Sequence, residues 1–233
     1  MKLTHGLAAL SLLALGAAAH ADVTGTVTVV SDYDFRGITQ TAQDPALQGS
    51  IDWTSDTGIY LGAWGSNVDF GDDIDVDIEV DLYGGIRGGE DITWDLGIIY
   101  YTYMDGSEFN YPEIYASIGY KWLSGKLWYS DEFGGVDDNG EAYYIEANAS
   151  VPLAETGLGL TAHVGMSDGD YWDSVDGYTD WSVGVTYALG HFNLGLKYID
   201  GSDLEELDGT PDDVFSSEAR AVLSVSTTFP WGD

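Results

Sequence analysis

Ile-Asp-Val-Asp-Ile-Glu-Val-Asp-Leu, residues 74–82, alternates strictly between an aliphatic side chain and a carboxylic acid. A period of two is the period of a β-strand, so this segment has one apolar face and one anionic face. Such a ribbon fits a soluble sheet that has a core on one side, or a membrane barrel that has lipid outside and a wet lumen inside. The rest of the sequence discriminates between these two architectures.

The first residues favour export. Lys2 precedes an apolar run over residues 7–19, and Ala19-His20-Ala21 has the small-x-small form of a cleavage site. These features predict a secretory signal peptide over residues 1–21, cleaved between Ala21 and Asp22, followed by one β domain over residues 22–233. The apolar run is too short to cross a membrane as a helix.

The composition is acidic and suited to β structure. The chain has 7 basic against 40 acidic residues and a net charge of −33, and loss of the signal peptide also removes Lys2. This charge excludes nucleic acid as a partner. The sequence has no cysteine, so disulfides do not stabilise the fold, whereas 31 glycines and 13% aromatic residues suit many strands joined by tight turns.

Alternation bounded by turn residues predicts about twelve strands and no amphipathic helix after the signal peptide. Most of these strands are long enough for a tilted barrel strand, which needs about nine to eleven residues. The predicted strands cover residues 23–36, 46–53, 59–68, 74–87, 92–104, 112–122, 126–133, 142–152, 158–166, 178–188, 192–200 and 217–229.

The connections between the predicted strands alternate in length. Tight turns follow the even-numbered strands, at residues 55–57, 88–90, 123–125, 154–156 and 189–190. Longer acidic or polar segments follow most odd-numbered strands, including residues 38–44, 134–140, 167–177 and 201–215. This pattern is typical of an outer-membrane barrel, which has short turns on the periplasmic side and long loops outside the cell.

The two faces of the strands agree with a barrel. In residues 181–189, Trp181, Val183 and Val185 share one face and Ser182 and Gly184 share the other. Aromatic residues end the apolar faces, where the interfacial belts of a membrane barrel fall: Trp53, Trp94, Tyr100, Trp122, Trp181 and Tyr198. We predict an all-β fold, a transmembrane antiparallel up-and-down β-barrel of about 12 strands, with a soluble sandwich as the alternative.

Several motifs resemble a known family. Residues 31–41 read SDYDFRGITQT and residues 58–70 read GIYLGAWGSNVDF; together with residues 79–85, 98–103 and 111–115 they resemble the TorF family, whose members are described as porins. The resemblance implies a β-barrel in the outer membrane of a Gram-negative bacterium that passes small solutes. The chain departs from the usual ending of such barrels on an aromatic residue, because Pro230-Trp231-Gly232-Asp233 follows Phe229.

In such a barrel, the charged residues on the inward faces would line the pore. Acids outnumber bases among them, and walls of low dielectric focus their potential, so the sequence predicts cation preference. Asp32, Asp34 and Arg36 fit equally well in a structural ion-pair cluster near the outer rim. The predicted pore-lining residues are Asp32, Asp34, Arg36, Asp52, Asp75, Asp77, Glu79, Asp81, Asp95, Lys121, Glu146, Lys197 and Arg220.

The sequence therefore predicts a porin of the cell outer membrane, in contact with lipid and lipopolysaccharide, through which small polar solutes or cations diffuse. Twelve strands are also compatible with a lumen filled by side chains or by an inward-folded loop. The alternative function is a closed, non-conducting barrel that acts as an adhesin or structural protein through its acidic loops. The natural solute and the oligomeric state are not fixed by the sequence.

No cofactor, metal site or enzymatic activity is predicted. The acidic segments 137–141 and 168–173 have the oxygen density of calcium sites but not the spacing of a calcium-binding loop. His163 and His191 are the only histidines after the signal peptide, and they form no hydrolase motif with Ser182, Ser224 or Asn193.

Overall fold

The computed structural model describes residues 21–72, 74–173, 177–202 and 214–231. The predicted signal peptide lies outside these residues except for Ala21, the first residue of the first strand. The strands are β1 (Ala21–Val30), β2 (Asp34–Phe35), β3 (Ile38–Thr39), β4 (Ala46–Ser55), β5 (Ile59–Asn67), β6 (Ile78–Gly89), β7 (Ile92–Tyr103), β8 (Tyr111–Tyr120), β9 (Leu123–Ser130), β10 (Ala142–Pro152), β11 (Leu158–Asp168), β12 (Tyr178–Leu189), β13 (Phe192–Ser202) and β14 (Arg220–Phe229).

Twelve of these strands close into one antiparallel barrel, which confirms the predicted fold class and strand number. Sequential barrel strands pair with each other, and β1 completes the ring by pairing with both β4 and β14. The remaining two strands, β2 and β3, pair only with each other. Closure leaves no exposed sheet edge, so the backbone of the wall is satisfied within the chain.

The connections sort by length as predicted. The turns after β4, β6, β8, β10 and β12 are short, and all lie at one end of the barrel, which we call the short-turn end. The connections after β1, β5, β7, β9, β11 and β13 are longer and lie at the opposite, long-loop end. Both β1 and β14 have their outer termini at the short-turn end.

The two faces of the wall are chemically distinct. Each barrel strand contributes exposed aliphatic or aromatic side chains to the outside, and the polar residues of the same strands point into the lumen. The aromatic residues predicted to end the apolar faces all lie exposed near strand ends: Trp53, Trp94, Tyr100, Trp122, Trp181 and Tyr198.

Glycines on the inward faces let tyrosine rings lie flat against the wall. Gly62 pairs with Tyr83 and Gly97 with Tyr115, and a Cβ added at either glycine would come within 2.4 Å of the opposite ring. A ring that covers a strand glycine replaces the side-chain packing that the glycine lacks. These pairs keep the short-turn half of the lumen lined by small residues and tyrosines.

Two predicted strands are shorter at one end, by four or more residues, than the alternation indicated. β1 ends at Val30 rather than at Arg36, because the chain there turns into the lumen. β6 begins at Ile78 rather than at Ile74, and the preceding residues belong to the loop after β5. Val76 is buried in an aromatic cluster inside the long-loop end instead of facing outward.

Three residues predicted to line the pore lie elsewhere. Asp75 and Asp77 are exposed on the loop before β6, since that strand starts only at Ile78. Lys121 is exposed in the two-residue turn between β8 and β9, where its φ of 55° fits a tight hairpin. The turn predicted at residues 123–125 thus lies two residues earlier, at residues 121–122.

The buried core sits inside the barrel at the long-loop end. It consists of two clusters, one around Tyr101, Tyr111 and Trp172 and the other around Tyr33 and Phe70. In the described parts of the connections lie four three-residue 3₁₀ helices, at Ser107–Phe109, Phe133–Gly135, Ala154–Thr156 and Asp170–Trp172. Within the described residues, no helix has the length and apolar character needed to cross a membrane.

Candidate functional site

The connection between β1 and β4 folds into the lumen. We call residues 31–45 the inner hairpin; its two strands β2 and β3 are joined by Arg36 and Gly37. Both turn residues have positive φ, 53° and 86°, as the type I′ turn of a two-residue hairpin requires. Positive φ disfavours an arginine, so contacts of its side chain must compensate for it.

Arg36 finds these contacts on the wall strand β8. Its guanidinium donates two hydrogen bonds to Glu113, at 2.9 and 2.6 Å, and both side chains are almost completely buried. The Tyr101 hydroxyl donates a third hydrogen bond to the same carboxylate at 3.0 Å. Burial alone would lower the pKa of Arg36, but the negative charge of Glu113 outweighs it and raises this pKa above its ordinary value.

The opposite side of the inner hairpin carries acids that meet basic residues of the wall. Arg220 of β14 donates through Nε to Asp32 and through Nη2 to Asp34, the latter at 2.9 Å. It also donates to the Gly37 carbonyl at 3.0 Å. Lys197 of β13 donates to Asp34 at 3.1 Å. Four of the predicted pore-lining residues, Asp32, Asp34, Lys197 and Arg220, therefore form one ion-pair network, and a fifth, Arg36, forms a separate ion pair with Glu113.

The network and the separate Arg36–Glu113 ion pair together hold the inner hairpin across the lumen. In the order of the ring, β8 and β14 are separated by five strands in either direction, so Glu113 and Arg220 lie on opposite walls. A third attachment is made to β6, where the Tyr33 hydroxyl donates to Glu79 at 3.2 Å. The backbone of Thr39 also donates to the Ser216 carbonyl before β14 at 3.0 Å. The inner hairpin is a constriction held from several sides.

Space remains inside the barrel on both sides of the Asp34–Lys197 ion pair. One cavity of about 380 Å³ lies against Thr28, Trp64 and Ser224. The other, of about 330 Å³, contains Glu146 and His163. Asp34 and Lys197 line both cavities, so this partly exposed ion pair stands at the boundary between them.

Three more predicted pore-lining acids lie on the wall and are partly accessible to solvent. Asp52 accepts a hydrogen bond from Tyr83 at 2.5 Å, and Asp95 accepts one from Tyr60 at 2.7 Å. Glu146 accepts hydrogen bonds from Trp128 and Asn148. Their hydrogen-bond donors are neutral, so these carboxylates contribute net negative charge to the lumen.

Several charged lumen residues were not among those predicted. Glu113, Lys126 and Asp180 each oppose an outward apolar neighbour on their strands, so strand parity could have found them. The ammonium of Lys126 lies 3.8 Å from the ring centre of Tyr115 and 3.6 Å from that of Trp128. The pairing of Glu113 with Arg36 had no signal in the sequence, because 77 positions separate the two residues.

The lumen does not contain an assembled hydrolase site around its histidine. His163 pairs across strands with Ser182, but Nδ1 lies 2.7 Å from the Asn148 oxygen and Nε2 lies 2.8 Å from an Asp180 oxygen. Neither ring nitrogen is left to activate the serine as a base. Within the described ranges, no group of three or more acidic, histidine or cysteine side chains is arranged to hold a metal ion.

A further cavity lies on the long-loop side of the inner hairpin. It has a volume of about 470 Å³ and is walled mainly by aromatic rings, including Phe70, Tyr111, Phe133 and Trp172. Phe35 lines both this cavity and the lumen cavity that contains Glu146. Phe35 therefore separates the mouth of the barrel from its interior.

Comparisons with known proteins agree with this architecture. Residues 14–229 match the model of a family described as a bacterial protein of unknown function (Gcw_chp), and no curated protein matches the sequence. The fold is similar to that of the KdgM porin in complex with disordered oligogalacturonate, with a TM-score of 0.57 and 9% identity over 90% of this chain and 99% of that chain. It is also similar to the NanC porin, with a TM-score of 0.56 and 8% identity over 90% of this chain and all of that chain.

Proposed function

The chain belongs to the Gcw_chp family of bacterial proteins of unknown function, and we propose that it is an outer-membrane porin through which small polar solutes or ions diffuse. The observation that carries this proposal is the segregation of the two faces on all twelve barrel strands. A closed barrel with an apolar outside and a polar, partly hydrated inside is suited to lipid on one face and water on the other. The similarity in fold to the KdgM and NanC porins supports the same function.

We place the long-loop end outside the cell and the short-turn end in the periplasm, because outer-membrane barrels have this polarity. Export by the predicted signal peptide over residues 1–21 belongs to the proposal, as does contact of the outer wall with lipid and lipopolysaccharide. The resemblance of residues 31–41 to the TorF family supports a shared role for the inner hairpin, since these residues include both of its strands.

The inner hairpin sets the size of what can pass. It crosses the lumen between β8 and β14, and free volume remains in separate cavities on the two sides of the Asp34–Lys197 ion pair. Solutes would pass beside the Asp34–Lys197 ion pair, which is the exposed part of the network: the Lys197 side chain is 39% exposed, against 7% for Arg220. We therefore propose a narrow pore for ions and small polar molecules.

The charges of the lumen support cation preference. Arg36, Lys197 and Arg220 are each paired with an acid, and Lys126 packs between aromatic rings. Among the described residues, Asp52, Asp95 and Glu146 have no basic partner within salt-bridge distance, apart from His163 beside Glu146. A negative potential focused by the wall attracts cations and repels polyanions. The oligogalacturonate seen with KdgM is such a polyanion, so we expect a different class of solute here.

Conductance in planar lipid bilayers tests the proposal. The refolded barrel should give discrete current steps, and a salt gradient should give a reversal potential of the sign that indicates cation preference. A matched variant replaces residues 31–45 with Asn-Gly, because Val30 and Ala46 are paired across β1 and β4 and a two-residue turn can join them. This variant should conduct several-fold more than the unmodified barrel.

The two variants separate the possible outcomes. If both barrels insulate, the porin proposal fails, and the closed adhesin or structural barrel takes its place. If only the variant conducts, the wall encloses a channel but the inner hairpin blocks it, which contradicts unassisted diffusion. Anion preference in the conducting barrel would contradict the proposed role of the lumen acids.

A further inference from the structure

Two carboxyl groups lie side by side on the lumen face of β6. Glu79 and Asp81 are two residues apart on one strand, and their exposed fractions are only 2% and 5%. Across the sheet, Glu79 pairs with Ser66 and Tyr103, and Asp81 pairs with Trp64 and Tyr101. All four cross-strand neighbours are neutral, so the sheet itself provides no counter-charge.

No basic side chain of the barrel compensates these two acids. Residues 22–233 hold six lysines and arginines, and all six lie among the described residues. Three of them form ion pairs with other acids: Arg36 with Glu113, Arg220 with Asp32 and Asp34, and Lys197 with Asp34. Of the other three, Lys126 packs on Tyr115 and Trp128, Arg87 donates a hydrogen bond to Thr54, and Lys121 lies in a turn at the short-turn end. His163 contacts Glu146 and Asp180, and His191 stacks on Trp231.

The hydrogen bonds of the pair are also incomplete. Glu79 accepts a hydrogen bond from Tyr33 of the inner hairpin at 3.2 Å. The Oδ1 atom of Asp81 is buried and has no hydrogen-bond partner among the described residues. A buried acceptor without a partner is rare, and a buried charge without a partner is strongly destabilising. The site therefore lacks a positive charge and a hydrogen-bond donor at the same place.

A single proton supplies both. If one carboxyl group is protonated, it donates to the other, and the pair carries one negative charge instead of two like charges in contact. A divalent metal is a poorer occupant, because calcium and magnesium take about six or more oxygen ligands. The pair provides at most four, one of which already accepts the Tyr33 hydrogen bond, and waters would have to supply the rest in a site that is almost completely buried. Among the residues that the structure describes, no third acid, histidine or cysteine completes a metal site there.

We propose that Glu79 and Asp81 share one proton and that this pair fastens the inner hairpin to β6 through Tyr33. The remaining negative charge accepts the Tyr33 hydrogen bond, which is the only hydrogen bond between the pair and the inner hairpin among the described residues. The other titratable groups that face the pair are the neutral phenols of Tyr101 and Tyr103 on β7 and the Glu113 carboxylate on β8, whose charge Arg36 balances. Loss of the shared proton at alkaline pH would place two adjacent charges beside Tyr33 and weaken this attachment.

Infrared spectroscopy of the folded barrel in D₂O tests the proton without any need for conduction, so its result is independent of the porin proposal. The unmodified protein at neutral pH should show the C=O stretch of a protonated carboxylic acid, and this band should disappear on alkaline titration. The isosteric variants Glu79→Gln and Asp81→Asn should each lack the band. Asp95→Asn is the matched control, because Asp95 is a lumen acid that is partly exposed to solvent and accepts a hydrogen bond from Tyr60; it should keep the band.

Trypsin tests the attachment of the inner hairpin, since its turn holds the Arg36–Gly37 bond. Cleavage there should accelerate with pH in the unmodified barrel by more than in Asp81→Asn measured at the same pH values. The absence of a protonated-acid band at neutral pH in the unmodified protein would overturn the proposal even if a variant failed to fold. A band that survives both substitutions, or stoichiometric metal retained after dialysis against a chelator, would overturn it as well.

Discussion

Glu113 and Arg220 stand on opposite walls of the barrel and hold the same hairpin. Glu113 binds the guanidinium of Arg36, and Arg220 binds the carboxylates of Asp32 and Asp34. The order of charges along the inner hairpin, two acids followed by a base, is thus complementary to a basic wall at β13–β14 and an acidic wall at β8. This complementarity fixes the direction in which the inner hairpin crosses the lumen.

Glu113→Gln should release one end of the inner hairpin. The substitution leaves the buried Arg36 without its counter-charge, and breaking a buried pair in this way costs roughly 3–5 kcal/mol. We expect faster tryptic cleavage after Arg36, identified by the masses of the fragments, and a lower urea midpoint of unfolding. Glu90→Gln, at an exposed position in a short turn, is the control and should change neither measurement. Equal cleavage rates in the two variants would contradict the role of the ion pair.

Gly37→Ala should displace the inner hairpin for two reasons. The φ of 86° costs an L-residue roughly 1–2 kcal/mol, and a Cβ there would lie only 2.7 Å from Cβ of Asp180. Gly190→Ala separates these effects, because Gly190 also has positive φ but has no atom within 4 Å of an added Cβ. Urea unfolding should show a larger loss for Gly37→Ala, and the difference reports the steric contact. If the two variants lose equal stability, the contact with the wall is unimportant.

The wall of the barrel was predictable because strand periodicity is a local property. Trp181, Val183 and Val185 alternate with polar residues, and each neighbour in the sequence therefore faces the other side of the sheet. The lengths of the connections then indicated which strand ends meet at which rim. Local pattern was sufficient for strand number, closure and the faces of Asp52, Asp95 and Glu146.

The inner hairpin was not predictable in the same way. Residues 31–36 also alternate, so the pattern extended β1 to Arg36, whereas the ion pairs with Glu113 and Arg220 draw this segment out of the wall. Residues 74–77 fail for a related reason: Val76 gains more by burial among aromatic rings inside the barrel than by facing outward. In both cases a long-range contact overrides a local period.

Gly97→Ala should destabilise the wall itself. An added Cβ would lie 2.4 Å from the ring of Tyr115, and overpacking of this kind costs roughly 1–3 kcal/mol. Gly49→Ala is the control: its added Cβ meets only a carbonyl oxygen at 3.7 Å, and replacing a strand glycine by alanine there should gain about 0.5–1 kcal/mol. Urea unfolding in lipid vesicles measures the stability of both variants.

The double variant Gly97→Ala with Tyr115→Ala should lose less stability than the two single changes added together, since the clash is then absent. Simple additivity of the two losses would contradict the contact between Gly97 and the Tyr115 ring.

The double variant Asp52→Asn and Asp95→Asn should reduce the proposed cation preference of the pore. Both side chains lie on the lumen wall, both are partly exposed to water, and asparagine can still accept the hydrogen bonds from Tyr83 and Tyr60. The change therefore removes two charges from the permeation path with little effect on packing, and the reversal potential in a potassium chloride gradient should move toward zero. The control variant Asp75→Asn with Asp77→Asn removes the same charge from the exposed loop before β6, and it should move the reversal potential less. Salt screens surface charges beyond about 8–10 Å, whereas charges along a narrow lumen act on every passing ion. A larger effect of the loop substitutions than of the lumen substitutions would show that the mouth, rather than the wall of the lumen, selects the ions.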